Sequence, residues 1–262
     1  MKSYKIFFIT LLVVSSISTA SVGQLLQRDN VQSRIAVGTR PEQGDFGFMV
    51  GASFEEISEI VDDDISLRGF PLMSFKYYFT DNIELRLNTQ MYAKSKVIQG
   101  SIANQIGQED NVDKESFVRF MPSAHYHFAS SNLLDTYAGV GLIIGSEKNE
   151  IITSEKTSLT GDYLATHMSK KTFVTGFNIN FGLQAFVADL PISFALEASI
   201  RGLKHSNLQY ENSLSSSVGG IVTNQTYSSI DEDAVIRYES LKYKSFDLGA
   251  DVRFILSYYF RR

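Results

Sequence analysis

The sequence predicts an all-β fold, an eight-stranded antiparallel up-and-down transmembrane β-barrel. Three observations carry that expectation: eight stretches place apolar residues on every second position, the connections between them alternate long and short, and aromatic residues gather at one end of the apolar faces. A period of two sends successive side chains to opposite faces of a sheet, so each stretch has one apolar and one polar face. An even number of such segments, each about 10 residues long and closed on itself, is how a β-protein satisfies its backbone in lipid.

The first twenty residues read as a secretory signal peptide. Lys2 and Lys5 supply the positive region, Ile6 to Val14 the apolar core, and Ser18-Thr19-Ala20 the small residues of a cleavage site, with a cut after Gly23 as the alternative. The chain has no cysteine, so neither a thioether-linked lipid anchor nor disulfide staples are expected. Cleavage after Ala20 removes two lysines and leaves 22 basic and 29 acidic side chains, a net charge of −7. That balance argues against nucleic acid as a partner. Beyond the signal, no run of 18 apolar residues offers a transmembrane helix.

Residues 21–43 form a polar periplasmic lead-in ending in the turn Arg40-Pro41-Glu42-Gln43-Gly44, and the barrel is expected over 44–260. Strand one covers Asp45 to Glu55, with Phe46, Phe48, Val50, Ala52 and Phe54 on one face, and an acidic loop with Asp62-Asp63-Asp64 follows it. Strand two, Gly69 to Phe79, turns tightly through Thr80-Asp81-Asn82 into strand three, Ile83 to Val97, whose odd positions Ile83, Leu85, Leu87, Met91 and Ala93 are apolar and whose even positions carry Glu84, Arg86, Lys94 and Lys96. A polar loop, Ile98 to Ser116, leads to strand four, Phe117 to Phe128. A short turn gives strand five, Asp135 to Glu147, with Gly139, Gly141 and Gly145 facing inward. The loop Lys148 to Lys170 precedes strand six, Lys171 to Phe186; a short turn precedes strand seven, Ile192 to Lys204; and the loop His205 to Lys242 precedes strand eight, Tyr243 to Phe260.

Long connections thus follow strands one, three, five and seven, and short ones follow two, four and six, leaving both termini on the short-turn side as a periplasmic entry requires. Phe46, Phe48, Phe79, Tyr126, Phe128, Phe194, Tyr258 and Phe260 fall on the apolar face near that side, the position of an interfacial girdle. Ten strands are the alternative. Gly219-Gly220-Ile221-Val222 and Ala234-Val235-Ile236-Arg237-Tyr238 read either as a hairpin above the membrane or as two more spanning strands.

The inward face carries Lys76, Glu84, Arg86, Arg119, His125, His127, Glu197, Arg201, Asp251 and Arg253. Eight strands enclose only enough space for side chains, so these mixed charges are expected to form a plug of ion pairs, with a conducting role as the competing reading. His125 and His127 share a face at metal-ligand spacing, but no third ligand is identifiable, and hydrogen-bonded lumenal histidines are the expectation; no metal and no cofactor are predicted. The acids at 62–64 lack the spacing of a calcium loop. The inward glycines precede no helix that would receive a phosphate, and they read instead as room for long lumenal side chains. His205-Ser206 sits where strand seven leaves the membrane, yet adjacent strand residues point to opposite faces, so no catalytic residue is assigned and an enzyme is not expected.

Several marks together resemble the small outer-membrane β-barrels of the OmpA/OmpX type from Gram-negative bacteria, in wording closest to Bacteroidota. They are the signal peptide, Lys76-Tyr77-Tyr78-Phe79-Thr80-Asp81-Asn82-Ile83, Tyr137-Ala138-Gly139-Val140-Gly141 and the terminal aromatic. The resemblance spans roughly residues 44–260 and departs where Arg261-Arg262 follow Phe260 and where the last loop is long. It implies an assembly signal in the last strand, Asp247, Gly249, Val252, Phe254 and Phe260, and hence insertion by the outer-membrane assembly machinery. The expected partners are outer-membrane lipid, that machinery, and an extracellular ligand or protein met by the loops. The functional expectation is a structural or surface-interaction barrel in the outer membrane, with a narrow porin-like channel and a lipid-modifying enzyme as alternatives.

Overall fold

In the computed structural model the described residues are 40–54, 72–101, 107–128, 133–157, 161–187, 190–233 and 235–260. They contain ten strands: β1 Phe46–Ser53, β2 Leu72–Tyr78, β3 Ile83–Ser101, β4 Gly107–His127, β5 Leu134–Thr157, β6 Tyr163–Phe186, β7 Ile192–Ser206, β8 Tyr210–Val218, β9 Ile221–Ser229 and β10 Lys244–Phe260. Eight of them close into an antiparallel barrel in the order β5-β4-β3-β2-β1-β10-β7-β6, completed by a β5–β6 ladder. The closing ladder runs from Leu134↔Ala185 to Lys156↔Tyr163. The terminal strands meet along Phe46↔Phe260 to Ser53↔Arg253, so the barrel presents no free edge within the closed cylinder.

The two-residue period holds around the wall. On β3 the even residues Glu84, Arg86, Asn88 and Gln90 are buried inside, while Leu85, Leu87 and Met91 face out. The outer surface is apolar to a degree that water would penalise: Phe128, Phe75, Val140 and Leu142 are each 61–65 % exposed. The outer side of β5 from Leu134 to Ile144 is apolar but for Thr136. At about 3.4 Å per residue and a tilt of about 40° that run covers about 26 Å of height, close to the ~25 Å band of a membrane barrel. Aromatic side chains girdle the short-turn end, with ring centroids 4.9 Å apart for Phe46–Tyr77, 5.2 Å for Tyr126–Phe128 and 4.9 Å for Tyr258–Phe260.

Two expectations about the long connections are corrected. The segments Ile98 to Ser116 and Lys148 to Lys170 are for the most part ladder: β3 pairs with β4 as far as Ser101↔Gln108, and β4 with β5 as far as Gly107↔Thr157. Their polar composition masked this, because a strand wet on both faces carries no hydrophobic alternation. The segment His205 to Lys242 holds a hairpin, β8–β9, outside the barrel. Beyond the last β7 pair at Phe173↔Ser206, β6 changes partner and pairs with β8 from Ser169↔Glu211 to Tyr163↔Ser217. Gly219 and Gly220 make its two-residue turn with φ of 59° and 82°, the positive values that a tight hairpin needs at both central residues. Residues 235–238 form no strand and meet β9 through the Ser228↔Tyr238 bridge and through Arg237, which reaches Gln225 and the Tyr227 ring. Of the alternatives, then, eight strands close the barrel and two stand apart. The signal peptide, the lead-in as far as residue 39 and the acidic run Asp62-Asp63-Asp64 lie outside the described residues.

Candidate functional site

Among the described residues, most buried charge lies in the interior of the barrel, chiefly toward the short-turn end. Glu84, 0 % exposed on β3, is the hub. The Arg86 Nε donates to its carboxylate, Lys76 Nζ on β2 stands 3.7 Å away, and His127 Nε2 on β4 lies 3.3 Å away. Arg86 Nη1 also reaches Glu197 Oε2 on β7 at 2.6 Å, and the Tyr137 hydroxyl donates to the same oxygen at 2.8 Å. The guanidinium of Arg86 lies 4.5 Å from the centre of the Tyr137 ring. On its other side His127 contacts Asp135 Oδ2 through Nδ1 at 2.7 Å, and Asp135 is in turn 3.5 Å from Arg40 Nε of the lead-in.

Lys76, Arg86 and Arg40 thus face Glu84, Glu197 and Asp135, a one-to-one balance across four strands and the lead-in. That balance is what burial demands, since an uncompensated ion in such a place costs several kcal/mol. Residues 40–45 are tied beneath the mouth: Arg40 Nη2 donates to the Asp81 carbonyl at 2.8 Å, the Gln43 amide to Asp81 Oδ1 at 2.9 Å, and the Gly44 amide to the Tyr78 carbonyl at 2.8 Å. Beside the ion network, Gln184, Ser193 and the Tyr259 hydroxyl form a closed triangle with contacts of 2.5–3.0 Å.

Further along the strands the interior turns apolar. Met49, Leu72, Met121, Ile143, Ala195 and Ile255, from six different strands, pack into one buried cluster with Leu203 against it. Beyond it, toward the long-hairpin end, come the remaining charges. Arg119 donates to Glu147, and Arg201 and Arg253 share Asp251 Oδ2 at 2.7 and 2.8 Å. The predicted inward residues therefore fall into two groups. Lys76, Glu84, Arg86, His125 and His127 lie on the short-turn side of the apolar cluster and Arg119, Arg201, Asp251 and Arg253 on its other side, while Glu197 joins the two, since it accepts from Arg86 and stands opposite Arg253 in the β7–β10 ladder.

His125 and His127 share the lumenal face and both pack against the Tyr137 ring, but their hydrogen-bond partners differ. His125 Nε2 is 2.9 Å from Ser123 Oγ, whereas His127 belongs to the carboxylates. A serine and a histidine in contact are the start of a nucleophile–base pair, but His125 Nδ1 has no hydrogen-bond partner among the described residues, so the orienting third group is missing. His205 contacts Asp247 Oδ2 at 3.0 Å. The groove of about 670 Å³ on the outer wall near Ser123 is lined mainly by Leu85, Pro122, Ala124, Val140, Leu142, Phe177 and Ile179. Pro122, without an amide N–H, coincides with a gap in the β4–β5 register between Phe120↔Ile144 and Ser123↔Gly141.

The inward glycines do make room for lumenal side chains. A Cβ on Gly139 would sit 2.2 Å from the His125 ring, one on Gly145 2.8 Å from Arg119 Cγ, and one on Gly182 2.1 Å from Tyr137. Asp247, Gly249, Val252, Phe254 and Phe260 all lie on β10, the last three facing outward.

Sequence reasoning missed Arg40, Asp135, Tyr137 and the Gln184–Ser193–Tyr259 triangle. Inner-face parity was a usable signal for all but Arg40, since Asp135 and Tyr137 share the parity of Gly139, and Tyr259 that of Arg253. It also missed the apolar cluster, which breaks the rule that inward means polar.

The fold and interior define an eight-stranded up-and-down β-barrel filled by its own side chains. Compared with models of known protein families and with curated protein sequences, the chain matches none.

Proposed function

We propose that the chain is an outer-membrane β-barrel protein of a Gram-negative bacterium with a closed lumen, serving a structural or surface-interaction role through the hairpins at its long end. The single observation that supports this best is the interior itself. An apolar cluster from six strands packs inside the barrel beside buried ion pairs, so side chains fill an interior that an eight-stranded cylinder leaves only wide enough to hold them. Export through the signal peptide at 1–20, insertion by the outer-membrane assembly machinery and contact with outer-membrane lipid belong to the same proposal.

The surface-interaction part draws on the β8–β9 hairpin. Ser228 both donates to and accepts from Tyr238, so residues of even number on β9 turn their backbone groups to the outer edge. Val222, Asn224 and Thr226 share that parity, and β9 from Ile221 to Ser229 has no charged side chain, so its open edge suits an added strand from a partner chain.

Planar-bilayer recording of the pure protein tests the closed lumen, and no repeated unitary current is expected. Reproducible currents would favour the narrow-channel alternative. The processed chain should also require detergent or lipid to stay folded, and free solubility without either would end the membrane reading.

A further inference from the structure

On five of the eight barrel strands, the next charged residue of the outer face beyond the apolar run on the long-hairpin side is a lysine. It is Lys114 on β4, Lys148 on β5, Lys171 on β6, Lys204 on β7 and Lys244 on β10, all exposed. Only small, polar or β-branched positions intervene, such as Ser116, Ser146 and Gly202. Among the described strand residues the opposite, short-turn end has no charge on this face, and Phe46, Phe79, Phe128 and Phe260 stand there instead. Five strands ending alike at one rim, with no counterpart among the described strand residues at the other, make a collar of positive charge at the boundary of the apolar band.

The collar is short of counter-charge. Lys148 and Lys171 stand directly opposite each other in the β5–β6 ladder, a like-charge pairing that destabilises a sheet left in water. Glu150 answers Lys148 at 2.7 Å but is also shared with His167 at 2.9 Å. Lys114, Lys171, Lys204 and Lys244 have no ion pair among the described residues. A cleft of about 320 Å³ opens on the collar, lined by Lys94, Lys114 and Lys148 with Glu115 and Glu150.

We propose that this collar is a binding surface for the phosphate groups of anionic lipids in the leaflet on the long-hairpin side. The proposal rests on the membrane reading above, and the occupant follows from position. A lysine stem lies along apolar surface while its ammonium reaches the headgroup level, where lipid phosphates are the anions at hand. Each lysine near an anionic surface adds about five-fold in affinity, so the collar selects phosphate-bearing lipids over zwitterionic ones by concerted attraction.

The test uses the full mature chain refolded into phosphatidylcholine vesicles with and without phosphatidic acid. Insertion is followed by protease protection and circular dichroism, and lipid preference by spin-labelled lipids of each headgroup. The wild type should insert in both vesicles and show a several-fold preference for phosphatidic acid. The triple variant Lys148→Gln, Lys171→Gln, Lys204→Gln should insert equally and lose most of that preference, while Lys96→Gln, on the opposite face of β3, should keep it. Insertion without any headgroup preference, or a preference that survives in the triple variant, overturns the collar and leaves the membrane reading standing. Failure to insert in either vesicle overturns both. Inorganic phosphate should not abolish the preference any more than chloride of equal ionic strength; if it does, the collar serves a free anion and the lipid occupant is wrong.

Discussion

The two ends of the barrel solve the same problem by different means. At the short-turn end the chain turns back within a few residues, and side chains hold the structure: Glu84, Glu197 and Asp135 are each matched by a cation, and residues 40–45 are stitched across the mouth. At the long end β3 to β6 run on for ten or more residues as two-sided polar ladder, and backbone hydrogen bonds hold them with little help from burial. Tyr210 is the exception there. It is buried, its hydroxyl accepts from Lys170 at 3.0 Å and donates to Glu232 at 2.9 Å, and burial first, then Glu232, push its pKa up against the opposing pull of Lys170. That contact pins the β8–β9 hairpin to β6. The contrast teaches that charge at one end is a structural element and at the other is mostly a surface property, so equal mutations at the two ends should have unequal effects.

The largest effect should come from the hub. Arg86→Ala leaves Glu197 buried without its ion-pair partner and Glu84 with only Lys76 and His127, and should cost about 3–5 kcal/mol in the urea unfolding of the lipid-reconstituted protein. Arg119→Ala at the far end removes a pair with partly exposed partners, 19 % and 29 %, and should cost about 1 kcal/mol or less. Equal losses would erase the distinction between the ends. Next comes the outer face. Val140→Arg, near the middle of the apolar run on β5, should reduce insertion by about 2–4 kcal/mol, measured as the fraction folded into vesicles, whereas the same arginine at Ser146 should be nearly neutral. Tolerance at Val140 would mean that something other than lipid meets that surface. Inside, Gly182→Ala drives a methyl into the Tyr137 ring that braces Arg86 and Glu197, and should cost about 1–3 kcal/mol. Gly100→Ala, on the exposed part of β3 with nothing near its Cβ, should cost nothing measurable.

How much of this the sequence made legible follows the same division. Where one face is apolar, alternation placed Glu84, Arg86, His125 and Glu197 inside and Leu85, Val140 and Phe254 outside without any knowledge of the neighbours. Which inward residues touch was not legible, because Arg86 and Glu197 are brought together only when β3 and β7 face each other across a closed cylinder. Nor was the apolar cluster: Met49, Ile143 and Ile255 look like lapses in a pattern until their six strands converge. The long ladders were hidden for the opposite reason. A strand exposed on both faces, like β4 from Gly107 to Ser116, has no hydrophobic period to detect, and its composition is that of a loop. The β8–β9 hairpin was half-legible through Gly219-Gly220, whose turn chemistry speaks without any core.

The smallest effect sharpens the comparison at its weak end. Hydrogen bonds from Lys148 first, then His167, hold the Glu150 carboxyl at about 2, below its usual 4.5. A carboxyl whose folded pKa is depressed contributes stability that is fully present above the unfolded value and is lost as pH falls through the folded one, so this contribution fades between about 4.5 and about 2. Glu150 sits at an exposed rim, so solvent and salt screen most of it. Comparing the wild type with Glu150→Gln across that window should reveal a small acid-dependent difference at low salt that high salt removes. If the difference persists undiminished in high salt, the rim pair is as protected as the lumen, and the contrast between the two ends is not one of solvent exposure.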